Sequence, residues 1–298
     1  MRTRRLVAVL FLVVFPAAAL AQERALTCDP ERIDRESYRL ATDAQALNVT
    51  RPRYRWWDAF TIGKHIDDLA DLNETTVEFA ERAARLDDAN LMAHGILARH
   101  YVVLGADARY ADEAWRRVLD AGGAIVWTAT LYDVDARGYF LMAFDRYGLR
   151  IYRFGQLAGP TPTNFGIPEF PGPEAVALWR AWGGCLDPAV APVAVVPWAD
   201  VREIKAGNWV LWFKLTRPIE VTSDRGKRRT LREIKVCLHG QTGDIEMYPS
   251  WDGARFTGWR GIGIGPADYQ ERVRRTLVKH VDPEGRIALP KHSRGAGW

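Results

Sequence analysis

The spacing of the apolar residues changes near Ala124, and this change limits the fold more than any other feature of the chain. Upstream of Ala124, apolar residues recur at the spacing of one α-helical face. Downstream, they form short runs or alternate with polar residues, as β-strands do, between turns rich in Asp and Gly. Helices followed by strands predict an α+β fold in which the helices pack on an antiparallel sheet.

The helical part predicts a compact helical hairpin. Its clearest helices cover about 90–104 and 107–121, and an earlier one follows the N-cap residue Asn73. The short joints between them favour antiparallel neighbours. We expect Tyr101 and Trp115 to be interior residues of the hairpin, and a further helix over Arg35 to Leu47.

Residues from about 74 to 121 resemble a tetratricopeptide (TPR) repeat. The similarity rests on the alternation of small and large residues around one glycine, in Ala93, Leu97, Ala98, Tyr101, Gly105, Ala111, Trp115 and Val118. The segment departs from the family where Asp88 replaces the usual proline and where one extra residue lies between Ala106 and Tyr110. The resemblance implies stacked antiparallel helices that bind a protein partner. The rest of the chain resembles no family.

The strand-forming part divides into two segments. Three strands, Ile125–Tyr132, Tyr139–Phe144 and Leu149–Phe154, form a small sheet with the helices, and the middle one is apolar on both faces. A Pro- and Gly-rich stretch at 158–173 predicts a linker. We therefore expect one domain over residues 22–157 and a second, basic domain over 174–298. The second is an antiparallel meander of Val201–Ile204, Trp209–Leu215, Ile219–Thr222, Thr230–Leu238 and Ile245–Tyr248, with a C-terminal helix from Pro266.

Residues 1–21 have the pattern of a secretory signal peptide. Three arginines precede the apolar run Leu6 to Phe15, and Ala19-Leu20-Ala21 fits a cleavage site. We expect cleavage near Ala21 and a secreted or periplasmic protein. No other run is long and apolar enough to cross a bilayer, so we expect no transmembrane span in the mature chain.

Three cysteines in an oxidising compartment leave one unpaired. Cys28 and Cys185 both stand in loop-like sequence beside Asp-Pro turns, whereas Cys237 lies in a predicted strand. We favour a Cys28–Cys185 disulfide, with the other two pairings open.

Charge is unevenly distributed along the chain. Residues 201–298 carry 19 Lys and Arg against 11 Asp and Glu, a net of +8, whereas residues 22–200 carry a net of −7. Either the two parts attract each other, or the basic part meets an anionic component of the envelope, such as lipid, wall polymer or acidic protein, or the basic surface is solvated and has no partner. We expect no nucleic acid partner. The candidate residues for binding an anion or a partner are Arg225, Lys227, Arg228, Arg229, Arg260, Arg272 and Arg275. On the last helix we expect Arg272, Arg274, Arg275 and Lys279 to point outward.

The common catalytic patterns are missing from the sequence. It contains no Gly-x-Ser-x-Gly, Ser-x-x-Lys or His-Glu-x-x-His motif, so we assign no catalytic residue, metal ligand or cofactor. We expect a non-enzymatic binding or scaffold protein of the cell envelope. The alternative is an enzyme or anion-binding module that acts on an envelope polymer through the region Gly261 to Arg275, where Gly261-x-Gly263-x-Gly265-Pro266 precedes a helix.

Overall fold

The computed structural model describes residues 25–47, 75–104, 107–131, 134–156, 183–186, 188–207, 210–222, 226, 228–239, 245–252, 255–263 and 269–290. The predicted signal peptide and linker lie outside these ranges. The helices are α1 (Arg35–Leu47), α2 (described over 75–86), α3 (Leu91–Leu104), α4 (Ala108–Asp120) and α5 (Tyr269–Val281). The strands are β1 (Ile125–Leu131), β2 (Asp135–Phe144), β3 (Gly148–Gln156), β4 (Ala194–Pro197), β5 (Val201–Ala206), β6 (Leu211–Thr222), β7 (Arg228–His239), β8 (Ile245–Asp252) and β9 (Arg255–Gly263).

Helices α3 and α4 form the predicted antiparallel hairpin. Asp107 caps α4 by accepting a hydrogen bond from the backbone N–H of Arg109. Trp115 is fully buried, and its Nε1 donates to the Ala98 carbonyl at 2.8 Å, which confirms its interior position. Tyr101 differs from the expectation because it is only half-buried, with its hydroxyl bonded to Glu81.

Helices α1 and α2 are tied to the start of α3 by buried polar side chains. Ser37 donates its hydroxyl hydrogen to the Ala83 carbonyl at 2.7 Å and accepts from the side-chain amide of Asn90 at 2.9 Å. Asp87 accepts from the backbone N–H groups of Asp34 and Ala89. These bonds satisfy the ends of three helices, as buried polar groups require.

One antiparallel sheet contains strands from both predicted domains. Its order is β4-β3-β2-β1-β7-β6-β5, and β8 and β9 form a separate pair. Strand β1 pairs with β7, so that Thr128 lies opposite His239, and β3 pairs with β4. The strands on the two sides of the predicted linker therefore form one sheet, where the sequence predicts two.

The seven-stranded sheet is curled. Seven flat strands would place the edge strands about 29 Å apart. Only Trp198–Asp200 separates edge strand β4 from edge strand β5, and such a link spans at most about 14 Å. Aromatic rings fill the concave side of the sheet. The centroid of the Phe144 ring lies 6.3 Å from that of Trp198 and 6.1 Å from that of Phe213.

Helix α5 completes the helical layer from the far end of the chain. Val273 and Leu277 are fully buried in the same hydrophobic core as Trp115 and Phe213. Beyond α5, the tail pairs with the outer edge of β5, where Ala288 exchanges backbone hydrogen bonds with Ile204 and Arg202. This pairing protects the edge strand.

The structure confirms the α+β class with its meander and C-terminal helix, and it corrects several strands. The predicted strands Trp209–Leu215 and Ile219–Thr222 belong to the single strand β6, which is irregular between Lys214 and Ile219. Strands β4 and β9 were not predicted. No helix in the described ranges is long and apolar enough to cross a membrane.

Candidate functional site

Cys28 and Cys185 form a disulfide, with their Cα atoms 5.7 Å apart. The disulfide joins two segments that both lie against the start of α3. Thr27 bonds to Ala89 and Leu91 through its backbone, and the carbonyl of Gly183 lies so close to α3 that a Cβ on Gly95 would come within 2.5 Å of it. The cross-link thus holds the first described residues and residues 183–186 on the α3–β1 junction.

The candidate basic residues that the structure describes lie on two different elements. Arg225, Lys227 and the side chain of Arg260 lie outside the described part of the structure. Arg228 and Arg229 are exposed at the start of β7. Arg272 and Arg275 are on α5, in a different layer of the fold.

The cations of α5 have partners within the fold. Arg272 donates to the Val102 carbonyl at 2.9 Å near the end of α3, Arg275 pairs with Glu271 at 2.6 Å, and Lys279 pairs with Asp112. The expectation that Arg274 points outward is wrong. Its side chain is 3% exposed and donates to the carbonyls of Ile204 and Pro290 and to Glu271, groups that the spacing within the helix does not reveal.

The start of α5 already contains its own anion. Glu271 lies in the first turn, where the helix dipole favours a negative charge. Burial works against its charged form, but bonds from Arg274 and Arg275 lower the pKa of Glu271. In addition, Gly261 and Gly263 pair with Met247 and Ile245 in the β8–β9 hairpin, so both glycines lie in a strand. Residues 264–268, which join this strand to α5, lie outside the described residues.

Opposite charges from the acidic and the basic part of the chain pair where α4 contacts α5. Asp112, from the acidic part of the chain, meets Lys279 and His280 from the basic part, with His280 Nε2 at 3.2 Å from its carboxylate. The His280 ring stacks on Trp115 at 5.8 Å between centroids. Burial lowers the pKa of His280, although Asp112 opposes the shift. The two parts attract each other within one fold.

An exposed aromatic surface lies where α2, α3 and α4 meet. Tyr110 is 63% exposed, and its ring lies 6.1 Å from the ring of Tyr101. Tyr101 donates its hydroxyl hydrogen to Glu81 at 2.8 Å, and Arg85 pairs with the same carboxylate. Tyr110, Tyr101, Glu81, Arg85 and the neighbouring Arg109 are called the tyrosine surface below.

The exposed position of Tyr110 could be predicted from the sequence, because this residue lies off the apolar face of α4. The apolar stripe of α4 is Ala111, Ala114, Trp115 and Val118, and all four side chains are buried. Tyr110 lies outside this stripe, in the first turn of a helix whose other outward residues are small or charged. Its place off the apolar stripe predicts an exposed ring.

Metal-ligating side chains are not clustered in the described ranges. No group of three or more His, Cys, Asp or Glu residues within these ranges could hold a metal ion. His100 is fully buried with neither ring nitrogen bonded, and burial holds its pKa well below the usual value. A histidine without a hydrogen-bond partner cannot be oriented as an acid or base by a neighbour.

Comparison with known proteins returned no relative: no family model, no curated protein and no solved structure matches this chain.

Proposed function

We propose that the chain is an exported, non-enzymatic binding protein of the cell envelope that holds a protein partner through the tyrosine surface. The observation that carries the proposal is the 63% exposure of Tyr110 on a helical hairpin that resembles a TPR repeat. Export is inferred from the first 21 residues and fits a disulfide, which persists in oxidising compartments.

The tyrosine surface has the make-up of an interaction site. Tyrosine and arginine are enriched among residues that dominate binding, and tyrosine buries a large area at a low entropic cost. The hydroxyl of Tyr101 is held by its hydrogen bond to Glu81, so the Tyr101 ring supports the neighbouring ring of Tyr110. A partner that covers the Tyr110 ring would thus meet a surface that is already ordered.

The test places a photoreactive phenylalanine analogue at position 110 in the full-length protein, expressed in its native envelope. We expect irradiation to give one discrete cross-linked adduct with a partner protein. The matched control is position 147, because Tyr147 is 75% exposed but lies in the turn between β2 and β3. The same photoreactive analogue at position 147 should give no adduct of that mass.

A second arm excludes damage to the fold. Tyr110→Ala removes a mostly exposed ring, so it should leave the free energy of unfolding nearly unchanged. The same variant should no longer capture, in an affinity pull-down, the partner that the cross-link identifies. Equal adducts at positions 110 and 147, no adduct at 110, or capture that survives Tyr110→Ala would contradict the proposal.

A further inference from the structure

The β6–β7 hairpin carries two arginines that have no ion-pair partner among the described residues. Arg228 and Arg232 are exposed, and neither makes an ion pair or hydrogen bond with another described residue. They differ in this from the cations of α5, each of which has a carbonyl or carboxylate partner.

The hairpin presents both arginines on one face. Thr222 pairs with Arg228 and Glu220 with Thr230, so side chains at 228, 230 and 232 alternate onto the same side of β7. Four residues of strand place Arg228 and Arg232 about 13 Å apart. One carboxylate, Glu220, shares this face, and it forms no ion pair with either arginine.

The opposite face of the hairpin is fixed to the protein. Val221 is 2% exposed and Leu231 is 9% exposed, and both belong to the main hydrophobic core. The side chain of Arg153 on β3 also donates to the Thr222 carbonyl at 3.4 Å. With the apolar face buried, Arg228 and Arg232 cannot turn inward.

We propose that this face of the β6–β7 hairpin rests on a membrane surface and binds the phosphate groups of anionic lipids. Guanidinium groups bind phosphate oxygens through paired hydrogen bonds. The two groups are widely spaced on an exposed face, with no buried polar side chain among the described residues between them that could enclose a single small anion. Lipid headgroups move laterally, so two separate phosphates can reach two separate arginines. This inference does not rest on the tyrosine surface, which lies on other elements.

The test uses the full mature chain, residues 22–298, and co-sedimentation with vesicles. The vesicles contain phosphatidylglycerol and phosphatidylcholine in equal parts, and vesicles of pure phosphatidylcholine are the neutral reference. We expect binding to the anionic vesicles at low salt only, because exposed charges are screened over about 10 Å at 0.1 M salt. Each arginine near an anionic surface contributes enough that the double variant Arg228→Glu, Arg232→Glu should weaken binding at least about tenfold.

A control variant with the same change of charge separates a local contact from the effect of net charge. Arg35→Glu with Arg82→Glu alters two exposed arginines on α1 and α2 and should bind vesicles as the unaltered chain does. Thermal melts of both variants check that the fold persists. The proposal is overturned if the hairpin variant keeps its vesicle binding, if the control loses as much, or if soluble polyphosphate binds as tightly as the vesicles do.

Discussion

Trp115 connects three layers of the molecule. Its ring lies 5.9 Å from that of Trp127 on β1 and 5.8 Å from that of His280 on α5, and its Nε1 bonds to Ala98 on α3. The 3.6-residue period of α4 was enough to predict its burial. The period could not show that a residue from α5 would stack on it, because that contact joins positions far apart in the chain.

Replacing Trp115 with alanine should lower the free energy of unfolding by roughly 3–5 kcal/mol, the usual cost of truncating a large buried aromatic. Urea denaturation measures the change. Tyr110→Ala, in the same helix but at an exposed position, should cost far less. Equal losses in the two variants would mean that Trp115 does not hold the layers together.

Arg274 shows where residue-level prediction fails. An amphipathic pattern classes a charged residue beside an apolar stripe as exposed. Its actual position is decided by carbonyls from β5 and from the tail, which accept hydrogen bonds from the buried guanidinium. Nothing in the sequence around α5 identifies those acceptors.

Helices α3 and α5 contain three histidines whose protonation opposes folding. Burial lowers the pKa of His94, His100 and His280 below the usual value of 6.5, and most strongly that of His100. The unfolded chain therefore takes up protons on these rings at a higher pH than the folded chain does. The free energy of unfolding should fall as the pH drops through 6.5.

Urea denaturation at about pH 7.5 and about pH 5.5 tests this dependence. The unaltered chain should lose stability at the lower pH. His100→Leu removes a ring that has no hydrogen-bond partner to lose, so it should make the loss smaller. If the variant and the unaltered chain lose equal free energy between the two pH values, His100 does not contribute to the acid sensitivity.

Most elements were predictable from local pattern, and the exceptions depend on partners. The periods and caps of α1, α3 and α4 gave their bounds to within a residue or so. Strand β4 has only four residues, so it has too little alternation to predict without β3 beside it. Strand β9 contains glycines that are typical of loops, and its pairing with β8 overrides them.

At the scale of the whole molecule, the halves that the sequence separates are one structure. The Pro- and Gly-rich stretch indicates a break in the chain, but strand pairing depends on contacts across that break, which local patterns do not encode. The charge distribution indicated this contact in part. Residues 22–200, with a net charge of −7, and residues 201–298, with a net charge of +8, meet at Asp112, Lys279 and His280. The disulfide also joins the two sides of the segment, from Cys28 to Cys185.

Hydrogen–deuterium exchange of the full chain across a urea series tests this unity most directly. Peptides from β1 to β3 and peptides from β6 and β7 should lose protection at one common urea concentration, because β1 and β7 share a ladder and a core. Loss of protection in β6 and β7 at a lower urea concentration, while β1 to β3 stay protected, would show two independent units and contradict the single sheet.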